Sequence, residues 1–378
     1  MKIVDGIIKI SSIFWMIPAL TAVAGAAGPP ARTGEVKIRI VAEFGKSLDW
    51  HHRLNRIASA RLGKDGYYDV FTMNPDGGDV RVLTDSTDGC PQKNNGNPCF
   101  HPSGKYLVFT GQNERLPDGD RAVRRAAVPG SGLGADLFLV DIDGRKVSQL
   151  TDYPLVRPLR AVIHPQFSPD GRKLAWSERV RRGESCGGGW VIRIADFQEG
   201  DPPALENIVT LEPGERDCFY EAHDFSADGR RLLFSSNLEE GQPHTGLDIY
   251  ELDLEFGKTA RLTRTDRAWD EHAHYSPDGS RIAWMSSAGL EIDYGPEEGK
   301  GTTWGRHLKT ELWLMDADGT NPRQLTHFNT PGHPEHVPGA RCIVSDSAWS
   351  PDGKSLIACV AWAKGLKRGV KLVLIELP

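Results

Sequence analysis

Two histidines one residue apart, in the run Asp270-Glu271-His272-Ala273-His274, are the most chemically suggestive feature of this 378-residue chain. Neutral imidazoles and ionised carboxylates ligate divalent ions, so the run offers a mixed nitrogen and oxygen donor set. On a β-strand, residues two apart project to the same side. His272 and His274 are therefore expected to share one ion, Mn, Ca or Zn, with His164, His223 or Glu271 completing the set. Comparable polar residues begin other apolar runs: Asn97, His164-Pro165-Gln166, Glu221-Ala222-His223-Asp224 and Asp346. These are the expected ligand-binding residues. A second reading stays open, in which the same groups hydrogen-bond between neighbouring structural units and to water in a central channel.

A repeat must position them. The aromatics Trp50, Phe100, Phe167, Phe225, Tyr275 and Trp349 are each followed seven residues later by an aliphatic: Ile57, Leu107, Leu174, Leu232, Ile282 and Leu356. Between them stand Ser-Pro-Asp-Gly (from Ser168, Ser276 and Ser350), Ser-Ala-Asp-Gly (from Ser226), His-Pro-Ser-Gly (from His101) and a degenerate His51-His52-Arg53-Leu54. Proline presets φ and glycine takes the left-handed position, so each cassette reads as a β-hairpin. An alternating strand follows, such as Glu311-Leu312-Trp313-Leu314-Met315, then an Asp/Gly turn and a short strand ending in Leu-Thr (Leu83-Thr84, Leu150-Thr151, Leu262-Thr263, Leu325-Thr326). Four antiparallel strands repeated six times predict an all-β, six-bladed β-propeller. The last unit ends at its third strand, Lys371 to Ile375, and Val36 to Ile40 is expected to supply the missing outer strand and close the ring.

The Ser-Pro-Asp-Gly hairpins, the Asp248-Ile249-Tyr250 strand and the Leu-Thr strands resemble the WD40-like (PD40) repeats of the TolB family of β-propellers. The resemblance spans the chain from residue 35 to 378 and implies that fold. It also implies a binding role in the cell envelope, although the N-terminal α/β domain of TolB proper has no expected counterpart between the leader and Val36. Similar repeats occur in the propellers of prolyl oligopeptidase-type hydrolases and, with seven blades, in oligogalacturonate lyases.

Residues 1–27 carry Lys2 and Lys9, an apolar run through Phe14-Trp15-Met16-Ile17 and the small-x-small Ala22-Val23-Ala24, which reads as a signal peptide followed by a linker at 28–34. A periplasmic or secreted monomer without a membrane span is expected. The net charge of -6 becomes about -7 once two lysines and one aspartate leave with residues 1–24, which disfavours nucleic acid as a partner. Export makes cysteine pairing plausible: Cys186 with Cys218 first, Cys90 with Cys99 second, and Cys359 as a buried thiol with Cys342 unassigned. Gly183-Glu184-Ser185-Cys186-Gly187 matches the nucleophile-elbow pattern, but it sits in a hairpin loop without the strand-turn-helix that such a serine needs.

Long connections at 112–134, 286–309 and 326–341 all fall on the face where the innermost strands begin, which predicts a binding face there. Arg124, Arg125, Arg157, Arg160, Arg181, Arg182 and Arg306 on that face would suit an anion. The first functional reading is thus a non-enzymatic module binding an envelope protein or a small or oligosaccharide ligand. The alternative is a metal-dependent lyase or hydrolase acting on an acidic saccharide at the histidine-rich channel mouth.

Overall fold

A computed structural model describes residues 7–9 and 36–378 except 118, 158, 182–188, 215–217, 266 and 295–302. The expected leader, apart from Ile7–Lys9 against the outer strand of the third sheet, lies outside the described residues, as do the serine motif and Cys186. Six antiparallel four-stranded blades make up the fold. Their innermost strands are Lys46–His51, Asn95–Phe100, Ala161–Phe167, Tyr220–Phe225, Asp270–Tyr275 and Arg341–Trp349 in blades 1 to 6. In every blade the expected aromatic faces the expected aliphatic across the first hairpin, from Trp50 opposite Ile57 to Trp349 opposite Leu356.

The repeated turn residues act locally. In blades 3 to 6 the serine hydroxyl donates to the aspartate two residues on, at 2.5 to 2.6 Å. The same hydroxyl accepts the amide five residues on, which locks the hairpin. The Leu-Thr dipeptide has an equally specific task. Each threonine hydroxyl accepts an amide of the third strand and donates to an acid at that strand's start, pairing Thr84 with Asp69, Thr151 with Asp136, Thr263 with Asp248 and Thr326 with Glu311. Apolar side chains of adjacent blades interdigitate to form one buried cluster at each junction, including Phe167 and Trp176 with Leu137, and Trp50 and Phe71 with Leu372.

Lys37–Ala42 pairs antiparallel with Lys367–Glu376, Ile38 opposite Ile375, so the chain's beginning completes blade 6. Ring closure in this way removes an open sheet edge. The cysteine expectation is corrected: Cys90 and Cys99 are both buried free thiols. Cys99 packs between blades 2 and 3 and Cys90 between blades 1 and 2, so the two sulfurs serve different cores. Cys359 is a buried free thiol, as its strand position implied.

Candidate functional site at the channel mouth

All six innermost strands shift register near their beginning: Lys46/Leu48, Gly96/Cys99, Ile163/Gln166, Ala222/Asp224, Glu271/His274 and Val344/Ser347. Such bulges take a side chain out of the regular alternation. Ser47, Asn97, His164 and His272 stand three residues before their blade's aromatic and have φ of 57, 47, 50 and 53°. A left-handed non-glycine residue costs on the order of 1–3 kcal/mol, and asparagine and histidine are among the types that tolerate it best.

The bulge separates two rows of polar residues. One residue before the aromatic, side chains stay between blades: Asp49 Oδ2 accepts the Phe100 amide at 2.6 Å, and Asp224 Oδ2 accepts the Tyr275 amide at 3.0 Å. Gln166 Oε1 accepts from Cys99 Sγ, and His274 lies 3.9 Å from Asp224. Residues at the bulges turn inward instead, with Glu221 beside them. His164, Glu221, His272 and Asp346, from four different blades, meet on the axis. His164 Nε2 lies 3.3 Å and His272 Nδ1 3.7 Å from Glu221 Oε1, and His272 Nδ1 lies 2.8 Å from Asp346 Oδ1. Asn97 Nδ2 reaches His164 Nε2 at 3.4 Å, while His223 Nε2 accepts the His272 amide and contacts Ser235 Oγ.

The expected set of His272, His274 and Glu271 is therefore not what the fold brings together. A bulge between the two histidines sends His274 to the inter-blade row, and Glu271 remains 4.0 Å from His272 Nε2. Among the described residues, the group of His, Cys, Asp or Glu donors within 4.8 Å of one another is His164, Glu221 and His272.

Burial would lower His272, but the Asp346 carboxylate, with Glu221 and Glu271 behind it, outweighs burial and raises its pKa to about 10. Burial would likewise raise Asp346, yet His272 and its neighbours hold it below the usual carboxylate range. Desolvation keeps the other imidazoles neutral, with His164 lowered to about 3 and His274 to about 4. It lifts Glu221 well above the ordinary range and Glu271 to about 7. The result is a His272–Asp346 ion pair among imidazoles lowered, and carboxyls raised, by burial.

A cleft of about 1330 Å³ opens on the long-loop face between blades 1 and 6. Two of the three long connections contribute to it, through Ala122 and Arg125 of the short helix Arg121–Ala126 and through Gly305 and Arg306, and the first residue of blade 6's innermost strand adds Arg341. Six cationic residues line it (Lys46, Arg61, Arg125, Arg306, Arg341 and Arg368) against a single carboxylate, Glu43. Phe44, Tyr68 and Trp362 add aromatic faces. Of the arginines expected to meet an anion, Arg125 and Arg306 line the cleft, whereas Arg160 and Arg181 pair with Glu178 and Glu212. Arg182 lies outside the described residues. Sequence reasoning missed Lys46, Arg61, Arg341 and Arg368, which ordinary strand and hairpin positions disguise as solvated surface.

No protein-family model matches the chain. Over 257 residues it is 26% identical to dipeptidyl-peptidase 5 of Porphyromonas endodontalis, covering 59% of this chain and 34% of the relative. The chain thus spans about a third of the length of that curated relative. In structure it is similar to a TolB candidate from Agrobacterium tumefaciens (TM-score 0.53, 15% identity, 90% of this chain and 98% of the other). It is also similar to TolB from Acinetobacter baumannii (TM-score 0.52, 15% identity, 85% and 64%). At these identities the likeness concerns the fold, and what it establishes is a six-bladed propeller of the kind found in TolB.

Proposed function

We propose that this chain is an exported, monomeric propeller acting as a binding module of the cell envelope, whose ligand is an acidic oligosaccharide lying across the cleft between blades 1 and 6. The observation that carries this reading is the charge of the lining, six cations to one carboxylate in a chain whose net charge is -6. Arginine forks suit carboxylate pairs, and the faces of Phe44, Tyr68 and Trp362 suit the apolar side of a sugar ring. The volume exceeds the range of roughly 300–1,000 Å³ typical of small-molecule sites, which favours several sugar units over one. Export is supported by the N-terminal sequence, and among the described residues no helix is long and apolar enough to cross a membrane.

The test is calorimetric titration with a uronic-acid oligosaccharide and its neutral counterpart. Saturable binding of the acidic sugar that weakens with salt is expected, and Arg306→Ala with Arg368→Ala should reduce affinity at least about 10-fold while leaving the thermal midpoint unchanged. Equal binding of the neutral sugar, or none of either, contradicts the proposal. The alternative, a metal-dependent lyase or hydrolase on the same ligand class, is favoured by the donor group of His164, Glu221 and His272, and product formation in the same titration would select it.

A further inference from the structure

We infer that the mouth of the channel is a binding site for one divalent transition-metal ion, held by His164, Glu221 and His272 with Asp346 beside them. Four observations point the same way. First, the donor atoms of the three residues lie within 4.8 Å of one another although they come from three blades. Two ligands on one ion, each about 2.1 Å from it, stand about 3.0–3.5 Å apart at ordinary coordination angles. The separation of His164 Nε2 from Glu221 Oε1 is 3.3 Å, and that of His272 Nδ1 from Glu221 Oε1 is 3.7 Å.

Second, Glu221 Oε1 is buried with no hydrogen-bond partner among the described residues, while His272 Nδ1 faces the Asp346 carboxylate at 2.8 Å. A buried carboxylate oxygen left without a partner is costly, and an ion would satisfy it. Third, His164 and His272 carry their imidazoles into the cluster from left-handed backbone, at φ of 50 and 53°. Strain of that kind persists where the surrounding structure gains something from it. Here it brings two nitrogen donors to one carboxylate.

Fourth, the donor chemistry selects the ion. Two imidazoles and a carboxylate, with a second carboxylate at hand, suit Zn or Mn better than Ca, which takes six or more oxygens. Asp346 Oδ1 lies 2.8 Å from His272 Nδ1, which suits a further ligand to the same ion, and 3.9 Å from His164 Nδ1, the nitrogen of that ring left to orient it. Asn97 Nδ2, at 3.4 Å from His164 Nε2, must give up that long contact on loading.

The experiment strips the full chain with chelator and titrates it with Co(II), whose visible absorption reports nitrogen and oxygen coordination, followed by competition with Zn and Mn. One equivalent should bind and raise the thermal midpoint. Glu221→Gln, nearly isosteric, and His164→Ala should each weaken binding at least about 100-fold, beyond the loss typical of outer-sphere partners. His333→Ala is the control for a histidine pair elsewhere, since the His327 and His333 ring centroids lie 4.2 Å apart on the long-loop face, and it should change nothing. Wild-type protein that takes up no equivalent, a Glu221→Gln variant that binds as wild type does, or binding lost with His333→Ala would each overturn the assignment. Circular dichroism of the variants separates lost binding from lost folding, and acidic-sugar binding is measured independently.

Discussion

The two ends of the innermost strands are built on opposite principles. At the turn end, Asp170, Asp228, Asp278 and Asp352 each receive a serine hydroxyl and a backbone amide from within their own turn, and these bonds hold all four below the usual carboxylate range. At the other end, His164, Glu221, His272 and Asp346 are buried and drawn from four blades whose innermost strands bulge there, and Glu221 Oε1 has no hydrogen-bond partner among the described residues. One end is locally self-consistent and specifies the fold. Where local rules are broken at a shared locus, the broken rule marks a site.

Both ends presuppose a closed ring, so the harshest way to erase the contrast is to open it. A chain beginning at Gly45 loses the pairing of Lys37–Ala42 with the last strand and the packing of Val36 and Ile38. Denaturant titration should show a loss of at least about 3 kcal/mol. Unchanged stability would remove the closing role of that strand.

Single substitutions then sharpen the comparison. In chelator, His272→Ala should cost about 3–5 kcal/mol because it strands the buried Asp346 carboxylate, whereas Asp278→Ala at the turn end should cost about 1 kcal/mol. Equal losses at the two ends would dissolve the distinction.

The smallest effect concerns an acid belonging to neither end. Burial raises Asp136 to about 6, although Tyr153 N and Thr151 Oγ1 donate to it. The folded state therefore holds this proton more tightly than the unfolded chain. Stability should fall as pH rises from about 4 to about 6 and level off above that. Asp136→Asn keeps the acceptor, so its stability curve should lack this slope, a difference of roughly 1–3 kcal/mol at pH 7. Parallel curves for the two proteins would argue against it.

The blades were legible because their signals are periodic and local: an aromatic, a turn and an aliphatic seven residues on need no knowledge of the rest of the chain. Ring closure followed from counting strands. The site residues were legible by type but not by partner. His272 and His274 read as same-side neighbours because nothing in their spacing reveals a bulge between them. The available clue was that Asn97, His164 and His272 share one offset from the aromatic, and their types tolerate left-handed backbone. The basic cleft was half visible, since Arg125 and Arg306 lie on long loops while Arg61 and Arg368 come from strands whose juxtaposition depends on the ring closing between blades 6 and 1. Cys90 and Cys99 misled because nearness in sequence says nothing about which side of a blade each thiol faces.

The most direct measurement is an anomalous difference map from crystals of the full chain grown with Mn(II). The account predicts one strong peak on the propeller axis, within coordination range of His164, Glu221 and His272, and its loss in crystals of Glu221→Gln. Peaks confined to surface carboxylates, with the site at the channel mouth empty, would contradict it.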